Sequence, residues 1–141
     1  MKIRLVLVGV TIVFTALTFH AVVGAQAPAS VNAGAYTAAQ AKRGADLYAK
    51  ECAACHGDTL TGMDPIPALA GADFVSHWKS VGELFDKTST TMPAIAPGSL
   101  SPEQVADVLA HILSVNKYPA GSSELPSKVD ALNGIKIEPR K

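Results

Sequence analysis

The stretch Cys52-Ala53-Ala54-Cys55-His56 contains both cysteines of this 141-residue chain. Cys-x-x-Cys-His is the signature for covalent attachment of a c-type haem. On one helical turn, positions i, i+3 and i+4 share a face. Cys52 and Cys55 can therefore add to the two vinyl groups on one porphyrin edge, while His56 directs its ring at the iron. The motif predicts one covalently bound haem c, with His56 as a metal ligand.

Three other uses of a cysteine pair fit this sequence less well. A thioredoxin-like Cys-x-x-Cys normally follows a strand of a βαβ unit, and no strand-rich segment precedes Cys52. A structural zinc site needs four ligands, and the chain has no second cysteine pair. A short-range disulfide would explain the two cysteines but would leave His56 without a role. Haem attachment is therefore the favoured interpretation.

Residues 1–27 have the layout of a secretory signal peptide. Two basic residues precede an apolar run over residues 5–23, and small residues follow it. Cleavage after Ala25 or after Ala27 fits this pattern. The apolar run is also marginally long enough to cross a bilayer, so an uncleaved membrane anchor is the alternative. The sequence predicts export to the periplasm, with membrane association only if this segment is retained.

Charge and length limit the remaining possibilities. Without residues 1–27, the chain keeps ten basic and twelve acidic residues. The basic residues are dispersed rather than clustered, so nucleic-acid binding is not expected. The length suits one small domain, whose core is marginal without further apolar surface. We therefore expect folding to be coupled to haem attachment.

Local signals predict an all-α fold. Thr37 and Gln40 have the spacing of a capping box, which opens a helix running to Cys52. Gly44 and Tyr48 lie on one face of that helix. Because Gly costs about 1 kcal/mol relative to Ala in a helix interior, Gly44 indicates that another helix approaches closely.

The last predicted helix has the clearest pattern. Ser101 is its N-cap, Pro102 suits the first helical position, and Gln104 completes a capping box. Apolar residues recur at helical spacing over residues 105–113. The helix is expected to end near residues 115–116.

Two shorter helices are predicted near residues 74–78 and 81–87. Residues 28–36 are small and irregular in pattern and are expected to be a linker. The folded domain then covers residues 37–118. Proline and glycine recur in residues 119–141, which predicts an irregular tail whose apolar side chains pin it to the domain.

The haem iron has a second axial position, opposite His56. An open position allows ligand binding, whereas a position filled by a protein side chain favours electron transfer. Met92 is the best candidate, because it lies 36 residues after His56 and directly before Pro93, which stiffens the loop. Met63 is too close to His56 in sequence to reach the opposite face. His77 is the runner-up, and a bis-His site would have a lower reduction potential than a His–Met site.

Residues 37–118 resemble a class I c-type cytochrome. In that family, a Gly and an aromatic residue of the first helix pack across the C-terminal helix, and Gly44 and Tyr48 match this pattern. A Pro-x-Leu follows the haem motif in many members, and it is matched here at residues 67–69. The resemblance implies that the Pro67 carbonyl accepts a hydrogen bond from His56 Nδ1, which fixes the tautomer and raises the basicity of the ligand.

The same resemblance extends to the second axial ligand. The Met-Pro axial segment of the family is matched by Met92-Pro93, and Trp78 lies where members bring an aromatic side chain towards a propionate. The resemblance therefore implies Met92 as the second metal ligand and Pro67 and Trp78 as further haem-binding residues. One departure from the family pattern is His111, which stands where an aromatic residue is expected. Another is the long tail.

The implied architecture is a cytochrome c-like fold of three to five short helices around one haem. The implied function is that of an electron-transfer protein of a respiratory chain, not an enzyme. It would carry one electron from a dehydrogenase to an oxidase or another cytochrome. Residues 92–101 and 116–126 also resemble the small monohaem cytochromes that accompany quinoprotein dehydrogenases. A haem subunit of such a dehydrogenase complex, and a ligand-binding or peroxidatic haem protein, are the alternatives.

Overall fold

The structure, a computed structural model, describes residues 28–141. The α-helices of this part of the chain are α1 Ala38–Glu51, α2 Ala53–His56, α3 Ala72–His77, α4 Val81–Thr91, α5 Pro102–Val115 and α6 Val129–Asn133. The predicted all-α class is confirmed, but six helices replace the expected three to five. The extra ones arise because the haem-motif turn is separate from α1 and because the tail forms α6. The predicted signal peptide, residues 1–27, lies outside the described residues.

Helices α1 and α5 form the most extensive helix–helix contact of the described region. Where they cross, a Cβ on Gly44 would lie 1.8 Å from the carbonyl oxygen of Asp107, so only glycine allows this approach. Tyr48, one turn further along α1, is 2% exposed, and its ring centroid lies 5.2 Å from that of His111. The predicted close approach at Gly44 is confirmed. His111, which stands where the family has an aromatic residue, is half-buried in this interface.

Helix α5 has the predicted boundaries. Ser101 and Gln104 form a capping box with hydrogen bonds in both directions, and Pro102 occupies the first turn. The apolar stripe is buried, with each of its members at most 3% exposed: Val105, Val108, Leu109, Ile112 and Leu113. Capping and periodicity are local properties, and here they agree with the packing.

The start of α1 differs from the predicted capping box in one respect. Thr37 caps the helix by accepting a hydrogen bond from the Gln40 N–H, but the Gln40 side chain does not reach back to the cap. It is 2% exposed. Its Nε2 donates to the Leu125 carbonyl at 3.0 Å, and its Oε1 accepts from the Leu125 N–H at 2.7 Å. Gln40 thus fastens the tail to α1.

Residues 28–36 are packed against the core rather than forming a free linker. They contain the 3-10 turn Val31–Ala33, in which Val31 is fully buried, and Tyr36 is only 3% exposed. The Val31 N–H donates to the Lys136 carbonyl, and the Lys136 N–H donates to the Ala29 carbonyl, both at 3.0 Å. The two ends of the described chain therefore pair with each other.

The tail, residues 119–141, is not irregular throughout. Leu132 of α6 and the nearby Ile135 have no exposed surface. Helix α6 packs on α4, where a Cβ on Gly82 would lie 2.8 Å from the backbone nitrogen of Asn133. A helix this short has little intrinsic stability, so burial against α4 holds it. The expected pinning of the tail by apolar side chains is confirmed.

Helix α4 is longer than predicted and runs to Thr91 instead of ending near residue 87. The added turn consists of residues 88–91, which are serine and threonine, both weak helix formers. In the structure, the hydroxyls of Thr88, Thr90 and Thr91 donate to carbonyls four residues earlier. Met92 consequently lies directly at the end of a helix. Within residues 28–141, none of the helices reaches the length and apolarity needed to cross a bilayer.

Candidate haem-attachment site

The motif residues lie on a single helical turn. Cys52 ends α1, with its N–H donating to the Tyr48 carbonyl at 2.9 Å. Its own carbonyl accepts from the Cys55 N–H at 3.1 Å and from the His56 N–H at 2.9 Å. The turn therefore holds both thiols and the imidazole at helical spacing. This spacing is what attachment to one porphyrin edge and to its iron requires.

The two cysteines differ in exposure, since Cys52 is half-buried and Cys55 is exposed, and both are free thiols. Burial raises the pKa of Cys52 to about 11, and Glu51 and Cys55 add smaller contributions in the same direction. Catalytic dithiols depend on a lowered thiol pKa. The raised pKa of Cys52 thus argues against the thioredoxin-like interpretation. Among residues 28–141, no three His, Cys, Asp or Glu side chains are grouped so that they could hold a metal ion, which removes the basis for a zinc site there.

His56 is 8% exposed and has a defined hydrogen-bond partner. Its Nδ1 lies 3.0 Å from the carbonyl oxygen of Pro67. A neutral imidazole that donates from Nδ1 carries its lone pair at Nε2. The partner that family resemblance implied for this ring is therefore at hydrogen-bonding distance, and in this tautomer the Nε2 lone pair is available to a metal.

The loop after the motif is fixed close to His56. Gly57 ends the turn with φ +76, a conformation that favours glycine, and its carbonyl accepts from the Tyr48 hydroxyl at 2.9 Å. Burial raises the pKa of Tyr48 to about 12, so this hydroxyl remains protonated and donates. The Gly62 N–H donates to the His56 carbonyl at 2.9 Å.

Asn116 is a residue of this region that sequence reasoning missed. It caps the C-terminus of α5, and its Nδ2 donates to the Leu69 carbonyl at 2.9 Å while its Oδ1 accepts from the Gly71 N–H at 3.0 Å. The only local signal was an asparagine at a helix end, which predicts a cap. The bonds to the loop after Pro67 join residues far apart in sequence.

Met92 is half-buried at the C-terminus of α4, and its N–H donates to the Thr88 carbonyl at 3.0 Å. Pro93 after it is buried, and its carbonyl accepts from the Ala96 N–H at 2.9 Å. Met63, by contrast, is 57% exposed. Of these two methionines, Met92 is thus the one presented from an ordered helix end.

The remaining sequence candidates occupy separate places. Trp78 follows α3 and packs partly against the core, and the exposed ring of His77 lies edge-on to it with centroids 4.7 Å apart. His111 lies between α1 and α5 against Tyr48, and burial lowers its pKa. Its contacts are those of an interface residue.

The donor set fits a covalently bound haem. Two free thiols stand three residues apart on one turn, and the adjacent imidazole has Nδ1 occupied by a carbonyl. Such a carbonyl partner is typical of ligating histidines. A methionine thioether is one of the side chains that serve as a second haem ligand.

A comparison with protein families agrees with this geometry. The family model described as "Cytochrome C oxidase, cbb3-type, subunit III" matches residues 39–112, more than half of the chain. The chain belongs to this family. No curated protein and no solved structure matches the chain.

Membership confirms several predictions. This c-type cytochrome is of class I, it has a cytochrome c-like fold, and its cofactor is covalently attached haem c. The family carries out haem-based electron transfer, so redox proteins are its partners in general. The matched region lies within residues 37–118, where the resemblance was found.

Proposed function

We propose that this cytochrome is a one-electron carrier outside the cytoplasm, with Cys52 and Cys55 attaching the haem and with His56 and Met92 as axial ligands. The observation that carries the proposal is the 3.0 Å contact between the Pro67 carbonyl and Nδ1 of His56, whose imidazole lies on the same helical turn as both thiols. When bound, haem supplies an iron that cycles between the ferrous and ferric states. The protein supplies the rest of the function through binding and positioning, with no catalytic residues of its own.

The chain's own residues would keep the iron environment constant. The Pro67 carbonyl holds the imidazole in one tautomer. The end of α4 and the buried Pro93 hold the Met92 loop. A site closed by two fixed protein ligands favours electron transfer over binding of an external ligand. Pro67 and Trp78 are proposed as further haem-contacting residues.

The partners follow from chemistry and from the family. We propose a dehydrogenase as donor and an oxidase or a second cytochrome as acceptor. The description of the matching family names an oxidase subunit, which supports the acceptor side. Contacts of such carriers are small and brief, below about 1,200 Å² of total buried surface.

Charge indicates what kind of surface the partner presents. Residues 51–78, which include the haem motif and lie between Lys50 and Lys79, carry four acidic side chains, all of them exposed, and no Lys or Arg. The four are Glu51, Asp58, Asp64 and Asp73. Opposite charge steers association and fixes orientation, so a basic patch on the partner is the complementary surface. Screening by salt then slows electron transfer to that partner.

Export is part of the proposal. The layout of residues 1–27 supports secretion to the periplasm, with an anchored form as the alternative product. Mass spectrometry of the protein from its native host reports haem addition and the mature N-terminus together. A mature chain starting after Ala25 or Ala27 supports the signal peptide. A chain that still carries residues 1–27 supports the anchor.

The carrier is tested by its spectrum. Purified protein is expected to show a weak far-red absorption band from sulfur ligation, which Met92→Ala abolishes. The matched control is Met63→Ala, which is expected to keep the band because Met63 is exposed. A high-spin ferric spectrum with ready CO uptake by the ferrous wild type would instead identify a ligand-binding or peroxidatic protein. A dehydrogenase that co-purifies in stoichiometric amount through gel filtration would identify a permanent subunit.

A further inference from the structure

We propose that Asn116 is a positioning residue for the axial imidazole, acting through the backbone that follows Pro67. The proposal rests on the function proposed above. The Asn116 amide bridges two backbone groups of the same loop. Oδ1 accepts from the Gly71 N–H at 3.0 Å, and Nδ2 donates to the Leu69 carbonyl at 2.9 Å. A planar amide with both ends engaged fixes position and orientation together.

The loop links this amide to His56. The Pro67 carbonyl, two residues before Leu69, accepts from His56 Nδ1 at 3.0 Å. The Leu69 N–H donates to the Leu60 carbonyl at 2.8 Å, so both backbone groups of Leu69 are engaged. Without Asn116, the bond to Leu60 would be the one backbone hydrogen bond left to Leu69, whose side chain packs partly against the core. The position of the Pro67 carbonyl relative to the imidazole would then be less constrained.

The other end of the connection is rigid. Asn116 Nδ2 also donates to the Ile112 carbonyl at 2.9 Å, and the Asn116 N–H donates to the same carbonyl at 3.1 Å. Ile112 belongs to the buried stripe of α5 and is 3% exposed. The amide therefore ties the loop after Pro67 to α5, whose position is fixed by packing. Asn116 does not need to touch the cofactor to have this effect.

The consequence is electronic as well as mechanical. A carbonyl that accepts from Nδ1–H makes the imidazole a stronger donor to the metal, which stabilises the ferric state. If the Pro67 carbonyl moves away, the reduction potential rises. The Nδ1 proton then also exchanges faster with solvent, because the bond that protects it opens more often.

The test compares three variants of the holoprotein. Asn116→Ala removes all side-chain bonds at this position. Asn116→Ser keeps a hydroxyl that can donate to the Ile112 carbonyl, four residues earlier, but is too short to reach the loop. Gln40→Ala is the matched control, because Gln40 is also an amide that engages two backbone groups, here of Leu125. The measurements are the reduction potential, the exchange of the His56 Nδ1 proton by ¹⁵N NMR of the ferrous protein, and the denaturant midpoint.

Both Asn116 variants are expected to raise the reduction potential and to speed Nδ1 proton exchange about tenfold. Gln40→Ala is expected to lower the midpoint while keeping the wild-type potential and exchange rate. Wild-type potential and exchange in Asn116→Ser, or changes no larger than those of Gln40→Ala, would overturn the proposal. The outcome is separate from that of the carrier function, because a wild type that takes up CO still has a His56 Nδ1 proton whose exchange decides the role of Asn116.

Discussion

The α1–α5 helix pair and two loop segments, residues 57–71 after His56 and residues 92–101 beginning at Met92, are stabilised in different ways. The helix pair is joined by close packing, with Gly44 directly against the backbone of Asp107. The loop segments contain no helix, and apart from buried side chains such as Leu60 they are joined by separate hydrogen bonds, such as the one from His56 to Pro67. Packing tolerates few changes in volume. A loop bond can be lost with a small effect on folding and a measurable effect on the ligand.

The largest expected effect is on the helix pair. Gly44→Ala should lower the free energy of unfolding by about 3 kcal/mol, because the added methyl would meet the Asp107 backbone rather than a flexible side chain. Denaturant unfolding of the holoprotein measures this loss. Gly134→Ala is the control, since a Cβ there has nothing within 4 Å, and it should be neutral or slightly stabilising. Equal midpoints for the two variants would show that α1 and α5 do not approach so closely.

The second-largest expected effect is a loss of stability in the tail, and it tests whether the tail is packed as tightly as the helix pair. Leu132→Ala should cost about 3 kcal/mol, because Leu132 is fully buried and its truncation leaves a cavity. Val129→Ala, in the same helix, is the control. Val129 is 37% exposed, so we expect a loss within about 1 kcal/mol. A similar small loss for both variants would show that α6 is not part of the tightly packed region.

A smaller effect tests the loop that holds His56. Pro67→Ala keeps the carbonyl but removes the φ restriction that orders it. We expect a modest rise in reduction potential, with the free energy of unfolding changed by no more than about 0.5 kcal/mol. Pro119→Ala, at an exposed position of the tail, should leave the potential unchanged. A potential identical to wild type in Pro67→Ala would remove Pro67 from the ligand environment.

The smallest expected effect is a pH dependence in the helix interface. Burial lowers the pKa of His111 below its ordinary value of 6.5, so the unfolded chain binds a proton at this site more readily than the folded one. The contribution of neutral His111 to the free energy of unfolding is therefore full above pH 6.5. It decreases as the pH drops from 6.5 towards the pKa that His111 has in the folded state, which is lower. His111→Phe keeps a ring against Tyr48 and should remove this component.

Unfolding free energies at pH 7 and pH 5.5 provide the measurement. The difference between the two pH values should be smaller in His111→Phe than in wild type. His77→Phe is the control, because His77 is exposed and lies outside the α1–α5 interface. An unchanged pH dependence in His111→Phe would show that His111 is not buried against α1 in solution.

Prediction from sequence succeeded where the signals were local. The boundaries of α5 follow from Ser101, Pro102 and an apolar stripe, all within one helix. Gly44 was recognised as a contact point because a glycine in a helix interior is costly. At the site, the bond between His56 and Pro67 was expected only from resemblance to the cytochrome family.

Prediction failed where a distant partner decided the outcome. Residues 28–36 carry no regular pattern, but pairing with Lys136 orders them. Here a tertiary contact outweighed the local pattern.

The sequence by itself determined the haem-attachment turn, the all-α class and the need for close packing at Gly44, because spacing, capping and residue size act over a few positions. Only the tertiary structure decided that the Gln40 amide serves the tail and that the Asn116 amide serves the loop beside His56. These bonds join residues 45 to 85 positions apart. An amide side chain can bond to any backbone N–H or carbonyl group, because these groups are chemically alike. The packing of the helices decides which of them come within hydrogen-bonding distance.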